Sequence, residues 1–536
     1  MKRYKYLISL LVIPLWVACF EDKGNYNYRD MGDITIENIP DVIEVLANAD
    51  PVVINPKVFS TLEGEIKDGN PDYQFIYKFD LKSGYIVSSS EPWVILNPDG
   101  KMSIDTLLSF SANNYIGWFI VKDLRTGLET YKAFDVKITS PTYEGWLILC
   151  NEGDQNRVRF DMVSRISADK IIPVYDIMKG LGLPEGKNAF QLGFSPTRYG
   201  GQTDRIFLFG EDGGYILNAE TFKTDASWNI KNINFVIPPA DNVAYFTTLN
   251  YGSAYANDLW FCVTQSGNAY VKMDMSGAGF EYPINTSVRG GQTEFKVAPF
   301  VGVSMARPGN GECALMYDID NRRFVGWAYS ENMDAAQTMA PLQDPASGKL
   351  FSYQTGKELI YMESTRFSGG IVYSVLQDNS GKRCIYGVNT GGSEFRQELA
   401  YEQINAPDFN QAKKFAFHSQ YPFMFYAVKN KVYLYDFGTG TNYPLTDIKL
   451  GDTEEVTLLK FNLYQNPELS VLADASDEFL ARQYDLIVGT YDQAAGNNSG
   501  KLKFYRVNSA THTVAKRDEY SGFAKIVDVM YRERRK

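Results

Sequence analysis

The sequence predicts an all-β protein, with an immunoglobulin-like β-sandwich followed by a β-propeller. Two observations lead to this fold class. Aromatic residues are abundant, with 36 Tyr and 33 Phe, and the apolar segments are short and separated by Gly, Asn and Asp, as is typical of β-rich chains. A hairpin unit also recurs along most of the chain, which indicates a repeat architecture.

The first 18 residues have the layout of a lipoprotein signal peptide. Lys2, Arg3 and Lys5 precede an apolar run, Tyr6–Ala18, which is too short to span a bilayer of about 30 Å as a helix. Ala18 directly before Cys19 suggests cleavage at this point and lipidation of Cys19, followed by a tether over 19–32. Two or three acyl chains would hold the protein durably on a lipid bilayer. An ordinary secretory signal with a chance cysteine is the alternative.

Residues 33–140 predict the β-sandwich. They contain about seven short segments with apolar residues at alternate positions, which suits an immunoglobulin-like domain of this length. The clearest hairpin covers 117–138, where the chain turns through Arg125, Thr126 and Gly127.

Residues 142–536 predict the propeller, and the repeat count predicts seven blades. Each unit has an apolar strand, a turn rich in Gly, Asn or Asp, and a second strand, and the spacing between units is 52 to 63 residues. A four-stranded blade needs about this length, with the hairpin as its middle strands. The last apolar run, 523–533, can close the ring. The alternative is a large sandwich that contains similar hairpins by chance. The seven hairpins begin at residues 146, 206, 259, 314, 371, 423 and 486.

Charge and composition exclude several functions. Without residues 1–18 the chain has 50 basic and 64 acidic residues, a net charge of about −14. This balance disfavours nucleic acid as a partner and a generic anionic membrane surface. The four remaining cysteines lie in apolar runs without metal-binding spacing, so we expect buried free thiols. With two histidines in the chain, we expect no metal site and no cofactor.

The sequence contains no motif that predicts catalysis. Phosphate-binding glycine loops and zinc-protease motifs are absent from the sequence. Paired carboxylates such as Glu152 with Asp154, or Glu211 with Asp212, lie in hairpin turns, where acidic residues are common turn formers. We therefore assign no catalytic residue and expect a protein that is not an enzyme.

Four aromatic residues are the candidates for ligand binding. Tyr and Trp faces stack on sugar rings or hold peptide side chains, because they offer a large amphipathic area at low entropic cost. Blade packing is the alternative role for each of them. The candidates lie at strand ends or in loops of the predicted propeller: Trp228, Tyr251, Trp260 and Trp327.

Several segments resemble the PKD-like family of Bacteroidota lipoproteins. The stretch CFEDKGNYNY, Cys19–Tyr28, looks like the family's lipidated cysteine, acidic pair and KGNYxY run. The hairpin at 117–138, the segment Glu144–Leu147 and the C-terminal run Phe523–Tyr531 are also similar to the family. Trp16 departs from the usual signal, in which a small aliphatic residue stands three before the cysteine.

The resemblance implies a location and a role. Acidic residues after the lipidated cysteine resemble the signal for the outer face of the outer membrane. Family members accompany SusC-like TonB-dependent transporters and SusD-like lipoproteins in nutrient uptake, and no catalytic residues are assigned to them. The leading hypothesis is thus an accessory surface lipoprotein that binds an oligosaccharide or oligopeptide. The alternatives are a propeller glycan hydrolase or lyase, and a structural or adhesive surface protein.

Overall fold

The computed structural model divides the chain into two compact units, Met1–Ser140 and Pro141–Lys536. Each unit is described by itself. The residues that the structure describes are 32–46, 50–82, 94–96, 98–108, 113–140, 142–167, 170–181, 185–195, 204–211, 213–219, 222–224, 241–249, 259–273, 279–305, 313–328, 338–391, 394–406, 408–464 and 477–533.

The first unit is built from ten strands in its described part. One sheet has five strands in the order β2-β10-β9-β6-β7, and two smaller sheets have the orders β1-β4-β5 and β3-β8. The strands are β1 (Ile34–Glu37), β2 (Val42–Leu46), β3 (Val52–Ile54), β4 (Lys57–Ser60), β5 (Gly64–Ile66), β6 (Tyr73–Leu81), β7 (Val94–Leu96), β8 (Ile104–Thr106), β9 (Asn113–Asp123) and β10 (Glu129–Thr139).

Alternation of buried and accessible residues makes this unit a sandwich. Along β6 and β9 every second side chain is buried, and these inward side chains include Tyr77, Phe79 and Phe119, which pack into one apolar core. The predicted hairpin is confirmed: β9 pairs antiparallel with β10, and Gly127 in the turn has a φ of 76°. Glycine adopts this conformation without the steric penalty that a side chain would add.

The second unit consists of antiparallel sheets. Its described part contains 26 strands and a short helix, α1 (Asp477–Leu480). The strands of the first half are β11 (Gly145–Glu152), β12 (Arg157–Ser167), β13 (Lys170–Val174), β14 (Gln191–Ser195), β15 (Arg205–Gly210), β16 (Gly213–Asn218), β17 (Val243–Leu249), β18 (Leu259–Thr264), β19 (Ala269–Met273), β20 (Gly302–Val303), β21 (Cys313–Asp318), β22 (Arg323–Ala328) and β23 (Ala340–Pro341). Those of the second half are β24 (Glu358–Ser364), β25 (Ile371–Gln377), β26 (Arg383–Asn389), β27 (Arg396–Tyr401), β28 (Lys414–Phe417), β29 (Phe423–Val428), β30 (Lys431–Asp436), β31 (Thr441–Pro444), β32 (Glu455–Phe461), β33 (Leu486–Tyr491), β34 (Gly500–Asn508), β35 (Thr513–Phe523) and β36 (Lys525–Arg532). Short 3₁₀ turns lie at Phe367–Gly369, Phe409–Gln411 and Gln493–Ala495.

Seven sheets form from the strands described in this unit, and each contains one of the predicted hairpins. Their orders are β13-β12-β11-β36, β14-β15-β16, β17-β18-β19, β20-β21-β22-β23, β24-β25-β26-β27, β28-β29-β30-β31 and β32-β33-β34-β35. The propeller prediction is confirmed. Two of these sheets show three strands in the described residues, and the prediction of seven complete blades stays a prediction.

The strand at one edge of each sheet faces the same central space, and neighbouring edge strands touch in sequence. β28 lies beside β32, and side-chain contacts join the other neighbours. These contacts are Gln191 with the backbone of Phe246 (2.8 and 2.7 Å), the ring of Tyr245 with that of Phe300 (6.0 Å between centroids), Val303 N with Ser364 Oγ (3.0 Å), Phe417 N with Glu363 Oε2 (3.0 Å), Lys460 Nζ with Asp528 Oδ1 (2.9 Å) and Leu192 N with Asp528 Oδ2 (2.9 Å).

One sheet combines strands from both ends of the second unit. β36, near the C-terminus, pairs antiparallel with β11, with Trp146 opposite Tyr531, so the predicted closing strand is confirmed. Pairing of distant segments leaves no open edge between the first and last repeats, which removes a site for aggregation.

The structure also bears on the cysteines and on membrane-spanning helices. Cys150, Cys262, Cys313 and Cys384 are buried, as expected. Among the described residues, no helix is long and apolar enough to cross a membrane.

Candidate functional site

A cavity of about 560 Å³ lies inside the second unit, where the inner edge strands of the sheets meet. Its wall includes residues of β14, β17, β20, β24, β28, β32 and β36. Each of these strands belongs to a different sheet, so the cavity is shaped by the ring as a whole. Ligand sites occur most often in concave spaces of this size, lined by aromatic residues and a few polar groups.

Three aromatic side chains form a continuous arc on one part of the wall. The Tyr245 and Phe300 rings have centroids 6.0 Å apart, and those of Phe300 and Tyr361 are 5.8 Å apart. All three residues are partly accessible and line the cavity. The Tyr361 ring also lies 5.4 Å from that of Phe415, which is buried in the blade beneath. We call Tyr245, Phe300 and Tyr361 the aromatic arc.

Asp528 of β36 is an anchored carboxylate on the cavity wall. Its Oδ1 accepts a hydrogen bond from Lys460 Nζ at 2.9 Å and from its neighbour Val529 N at 2.8 Å, and its Oδ2 accepts from Leu192 N at 2.9 Å. Asp528 is 8% exposed. These bonds tie β36 to both neighbouring sheets, so Asp528 contributes to ring geometry as well as to the polarity of the cavity.

Glu363 of β24 is the second carboxyl group of the cavity, and its environment differs. Its Oε2 accepts hydrogen bonds from Phe417 N at 3.0 Å and from the Tyr361 hydroxyl at 3.1 Å. Burial raises the pKa of this carboxyl to about 8, because loss of hydration disfavours the charged form more than these bonds and the nearby Lys460 favour it. Glu363 is therefore mostly protonated at neutral pH.

Basic side chains also line the cavity. Lys414, the first residue of β28, has a side chain open to solvent within the cavity. Loss of hydration, followed by repulsion from Lys525, lowers the pKa of its ammonium group. Arg366, just after β24, donates from its guanidinium to the carbonyl of Tyr464 at the cavity.

The arrangement is suited to holding a small ligand with an apolar face and polar edges. The aromatic arc offers stacking surface, while Glu363, Lys414 and Arg366 offer hydrogen-bond donors and charge. Within the part of the chain that the structure describes, no group of three His, Cys, Asp or Glu side chains is placed to hold a metal ion.

The structure describes two of the four aromatic candidates from the sequence, Trp260 and Trp327. Trp260 and Trp327 are 1% and 3% exposed and pack between neighbouring sheets, Trp260 against Phe207 and Trp327 against Phe261. Neither lines the cavity. This burial favours the packing alternative for both. Trp228 and Tyr251 lie outside the described residues, as does Cys19.

Sequence reasoning missed the residues that line the cavity. It located the middle hairpins by their apolar pattern, whereas the cavity is lined by the inner edge strands, which precede the hairpin in six of the seven sheets and come from β36 in the closing sheet. These edge strands carry polar residues in apolar surroundings, as in LIYMES at 359–364 and KKFAF at 413–417. A charged residue inside an apolar run of an edge strand is the signal that could have identified Glu363 and Lys414.

The N-terminal part of the chain matches a known protein family. Residues 19–181 match the model of the PKD-like family, which confirms the resemblance for this part of the chain. No curated protein matches the sequence.

Several solved structures are similar in fold. One is a quinonprotein alcohol dehydrogenase-like protein from Bacteroides thetaiotaomicron, with 11% identity, a TM-score of 0.42, and coverage of 94% of this chain and 99% of that one. A protein from Lactobacillus plantarum has 13% identity, a TM-score of 0.40, and coverage of 72% and 99%. A DUF4784 family protein from Bacteroides caccae has 9% identity, a TM-score of 0.29, and coverage of 78% and 96%. Identities this low carry no information on ligand or activity.

Proposed function

We propose that this protein is a lipid-anchored outer-membrane protein whose propeller binds an oligosaccharide or oligopeptide at the cell surface. The observation that carries the proposal is the central cavity, which combines the aromatic arc with polar groups that have few protein partners. In this role the protein is an accessory, substrate-binding component of a SusC/SusD-type uptake system.

The dimensions of the cavity support binding of a small ligand. Its volume of about 560 Å³ falls within the range of roughly 300–1,000 Å³ that is usual for ligand sites. The aromatic arc presents ring faces, and ring faces hold sugars or peptide side chains with little loss of conformational entropy.

The sequence supports the location. The apolar run before Cys19 is too short to span a membrane, and Cys19 follows the small residue Ala18. The PKD-like match begins at residue 19, at the proposed start of the mature protein. Acylation of one cysteine with two or three chains would give durable anchoring.

A binding experiment tests the role of the cavity. The full chain in mild detergent is exposed to panels of oligosaccharides and oligopeptides, and hits are quantified by calorimetry. For a hit, Tyr245→Ala should weaken binding about tenfold or more, because it removes the stacking surface. The matched control is Tyr282→Ala, a tyrosine of the same unit that is 46% exposed and does not line the cavity. Absence of binding across both panels would refute the ligand-binding proposal, and equal binding by Tyr245→Ala would exclude the cavity as the site.

The uptake role is tested by a pull-down from native outer membranes. We expect a TonB-dependent transporter and a SusD-like protein to co-purify with the wild-type chain. Cys19→Ala should lose both acyl labelling and membrane retention. A Cys19→Ala chain that remains acylated, or a wild-type chain that brings no transporter with it, would contradict this part of the proposal.

A second candidate function is glycan cleavage, and the pair of acids in the cavity favours it. Glu363 has a raised pKa, whereas Asp528 is paired with Lys460, and acid–base catalysis uses two carboxyl groups in different environments. Glycans that bind are incubated with the protein and examined for shorter or unsaturated products. Products that disappear with Glu363→Gln would establish an enzyme, and intact glycans would leave binding as the function.

A further inference from the structure

The cavity has the opposite charge from the chain as a whole. The chain carries a net charge of −11, yet four basic side chains and two acidic ones line the cavity. The basic residues are Arg366, Lys413, Lys414 and Lys460, and the acidic ones are Glu363 and Asp528.

Both acidic groups are already committed to protein partners. Asp528 forms the ion pair with Lys460, with which its charge cancels, and accepts two backbone hydrogen bonds. Glu363 accepts from Tyr361 and from Phe417 N, and it contributes little negative charge at neutral pH because its pKa is raised. Among the described residues, the remaining cations thus form no ion pair with a carboxylate of the wall.

Three cations are left over. Within the described residues, the ammonium groups of Lys413 and Lys414 have no hydrogen-bond or ion-pair partner, and the Arg366 guanidinium contacts a carbonyl but no carboxylate. Lys413 and Lys414 are exposed and Arg366 is partly exposed, so their charges can reach a ligand in the cavity. An anion that enters the cavity would gain charge-assisted hydrogen bonds from them.

Lys414 lines the same cavity as the aromatic arc. It directly precedes Phe415, whose ring is 5.4 Å from that of Tyr361 in the aromatic arc. Lys414 is exposed, whereas the adjacent Phe415 is buried at the wall of the cavity. Because the aromatic arc and Lys414 line one cavity, a ligand that stacks on the arc can direct an acidic substituent toward Lys414.

We propose that the ligand of the cavity is an acidic sugar, of the uronic acid type, whose carboxylate is bound by Lys414 while its ring lies against the aromatic arc. This inference rests on the proposed ligand-binding function and narrows it to an anionic ligand. Lysine binds a carboxylate through a charge-assisted hydrogen bond, which is among the stronger polar contacts in proteins.

The test compares ligands that differ in one charge per ring. The full chain is titrated with oligomers of galacturonic, glucuronic and mannuronic acid, with the methyl esters of the same oligomers, with neutral glucose oligomers and with glutamate-rich peptides. We expect at least one uronic oligomer to bind, its methyl ester to bind about tenfold or more weakly, and raised ionic strength to weaken the acid form alone.

Variants assign the effect to Lys414. Lys414→Met should weaken binding of the acidic oligomer about tenfold or more, and Lys414→Arg should retain most of it because the charge remains. The matched control is Lys431→Met, an exposed lysine of the same sheet that does not line the cavity, which should leave binding unchanged. Melting temperatures of all variants show whether a loss of binding reflects unfolding.

The possible failures are distinguishable. Equal binding of acid, ester and neutral oligomers, unchanged in Lys414→Met, would overturn the acidic-sugar proposal and leave the binding function intact. Lys414-dependent binding of the acidic peptides alone would overturn the sugar assignment. Binding of none of these probes, or of any member of the wider panels above, would overturn this inference together with the proposed function.

Discussion

The second unit groups charged side chains in two regions, and their surroundings differ between the two. In the closing sheet, β13-β12-β11-β36, the buried charges of Arg159 and Asp161 contact each other, and each forms further hydrogen bonds. In the central cavity, several cations have no carboxylate partner within the described residues. The comparison shows that ion-paired buried charges stabilise the fold, whereas charges without an ion-pair partner that line a cavity point to a ligand site.

Arg159 shows the first situation. It is 4% exposed, and its guanidinium donates to Asp161 Oδ1 at 2.9 Å, Glu152 Oε1 at 3.0 Å, Asn498 Oδ1 at 2.6 Å and the Gly522 carbonyl at 2.9 Å. The last two partners belong to the end of the chain, more than 330 positions away. The network therefore joins the first strands of the propeller to the last repeat.

Lys414 shows the second situation. Its side chain is exposed at the cavity, loss of hydration lowers the pKa of its ammonium group, and that group has no hydrogen-bond or ion-pair partner in the described structure. Since an exposed lysine without an ion-pair partner adds little to the stability of the fold, its position at the cavity favours a role in binding.

The largest effect is expected from breaking the closing network. Arg159→Met should lower the free energy of unfolding by about 3–5 kcal/mol, because it leaves the buried Asp161 without its counterion. Urea unfolding measures the change, and Arg506→Met, at an exposed position of β34, should change it by less than about 0.5 kcal/mol.

A double variant makes this prediction more specific. Arg159→Met combined with Asp161→Leu should recover part of the lost stability, because no unpaired charge remains buried. The two residues do not act as a pair if the double variant is less stable than Arg159→Met by as much as Asp161→Leu alone is less stable than wild type.

An intermediate effect is expected from Glu363, and it depends on pH. The pKa of this carboxyl is raised in the folded protein from 4.5 to about 8. The folded chain keeps the proton over the range in which the unfolded chain releases it, so the contribution to stability is present below pH 4.5 and is lost as pH rises through 8. Glu363→Gln removes this loss of stability at high pH. The free energy of unfolding of the variant, relative to that of wild type, should therefore rise by at least about 1 kcal/mol between about pH 5 and pH 9.

Unfolding free energies at the two pH values measure this gain. The matched control is Glu358→Gln, an exposed glutamate of the same strand, which should show no such gain. A wild-type stability that falls no more steeply with pH than that of Glu363→Gln would show that Glu363 is ionised in the folded protein.

The smallest effect is expected from Tyr361→Phe, which removes the hydroxyl that donates to Glu363 at 3.1 Å. That bond favours the charged carboxyl, so its loss should raise the pKa of Glu363 further and move the pH transition of stability upward. The change in unfolding free energy at neutral pH should stay within about 1.5 kcal/mol. The same series of unfolding free energies against pH measures this shift. A transition that moves to lower pH in Tyr361→Phe would contradict the hydrogen bond from Tyr361 to Glu363.

The sequence alone predicted much of the fold. The apolar strand pairs at regular spacing predicted each middle hairpin of the sheets, because alternation along a strand is a local pattern. The turn at Gly127 and the closing run at 523–533 were also readable, the first from turn chemistry and the second from an apolar strand left over after the last repeat.

The candidate site was not readable in the same way. Trp260 and Trp327 were chosen as ligand contacts by residue type, and the structure shows them buried between neighbouring sheets. Residue type cannot separate a stacking platform from a packing residue, because both use the same ring. What separates them is the face of the strand that meets the neighbouring sheet.

The sequence by itself determined the β-rich class, the repeat and the charge balance, since these follow from local patterns and composition. Only the tertiary structure decided that Tyr245, Glu363, Lys414 and Asp528 share one cavity. These residues come from four sheets and are separated by more than 280 positions at the extremes. Their convergence depends on closure of the ring, and closure is a property of the whole set of strands that no single segment contains.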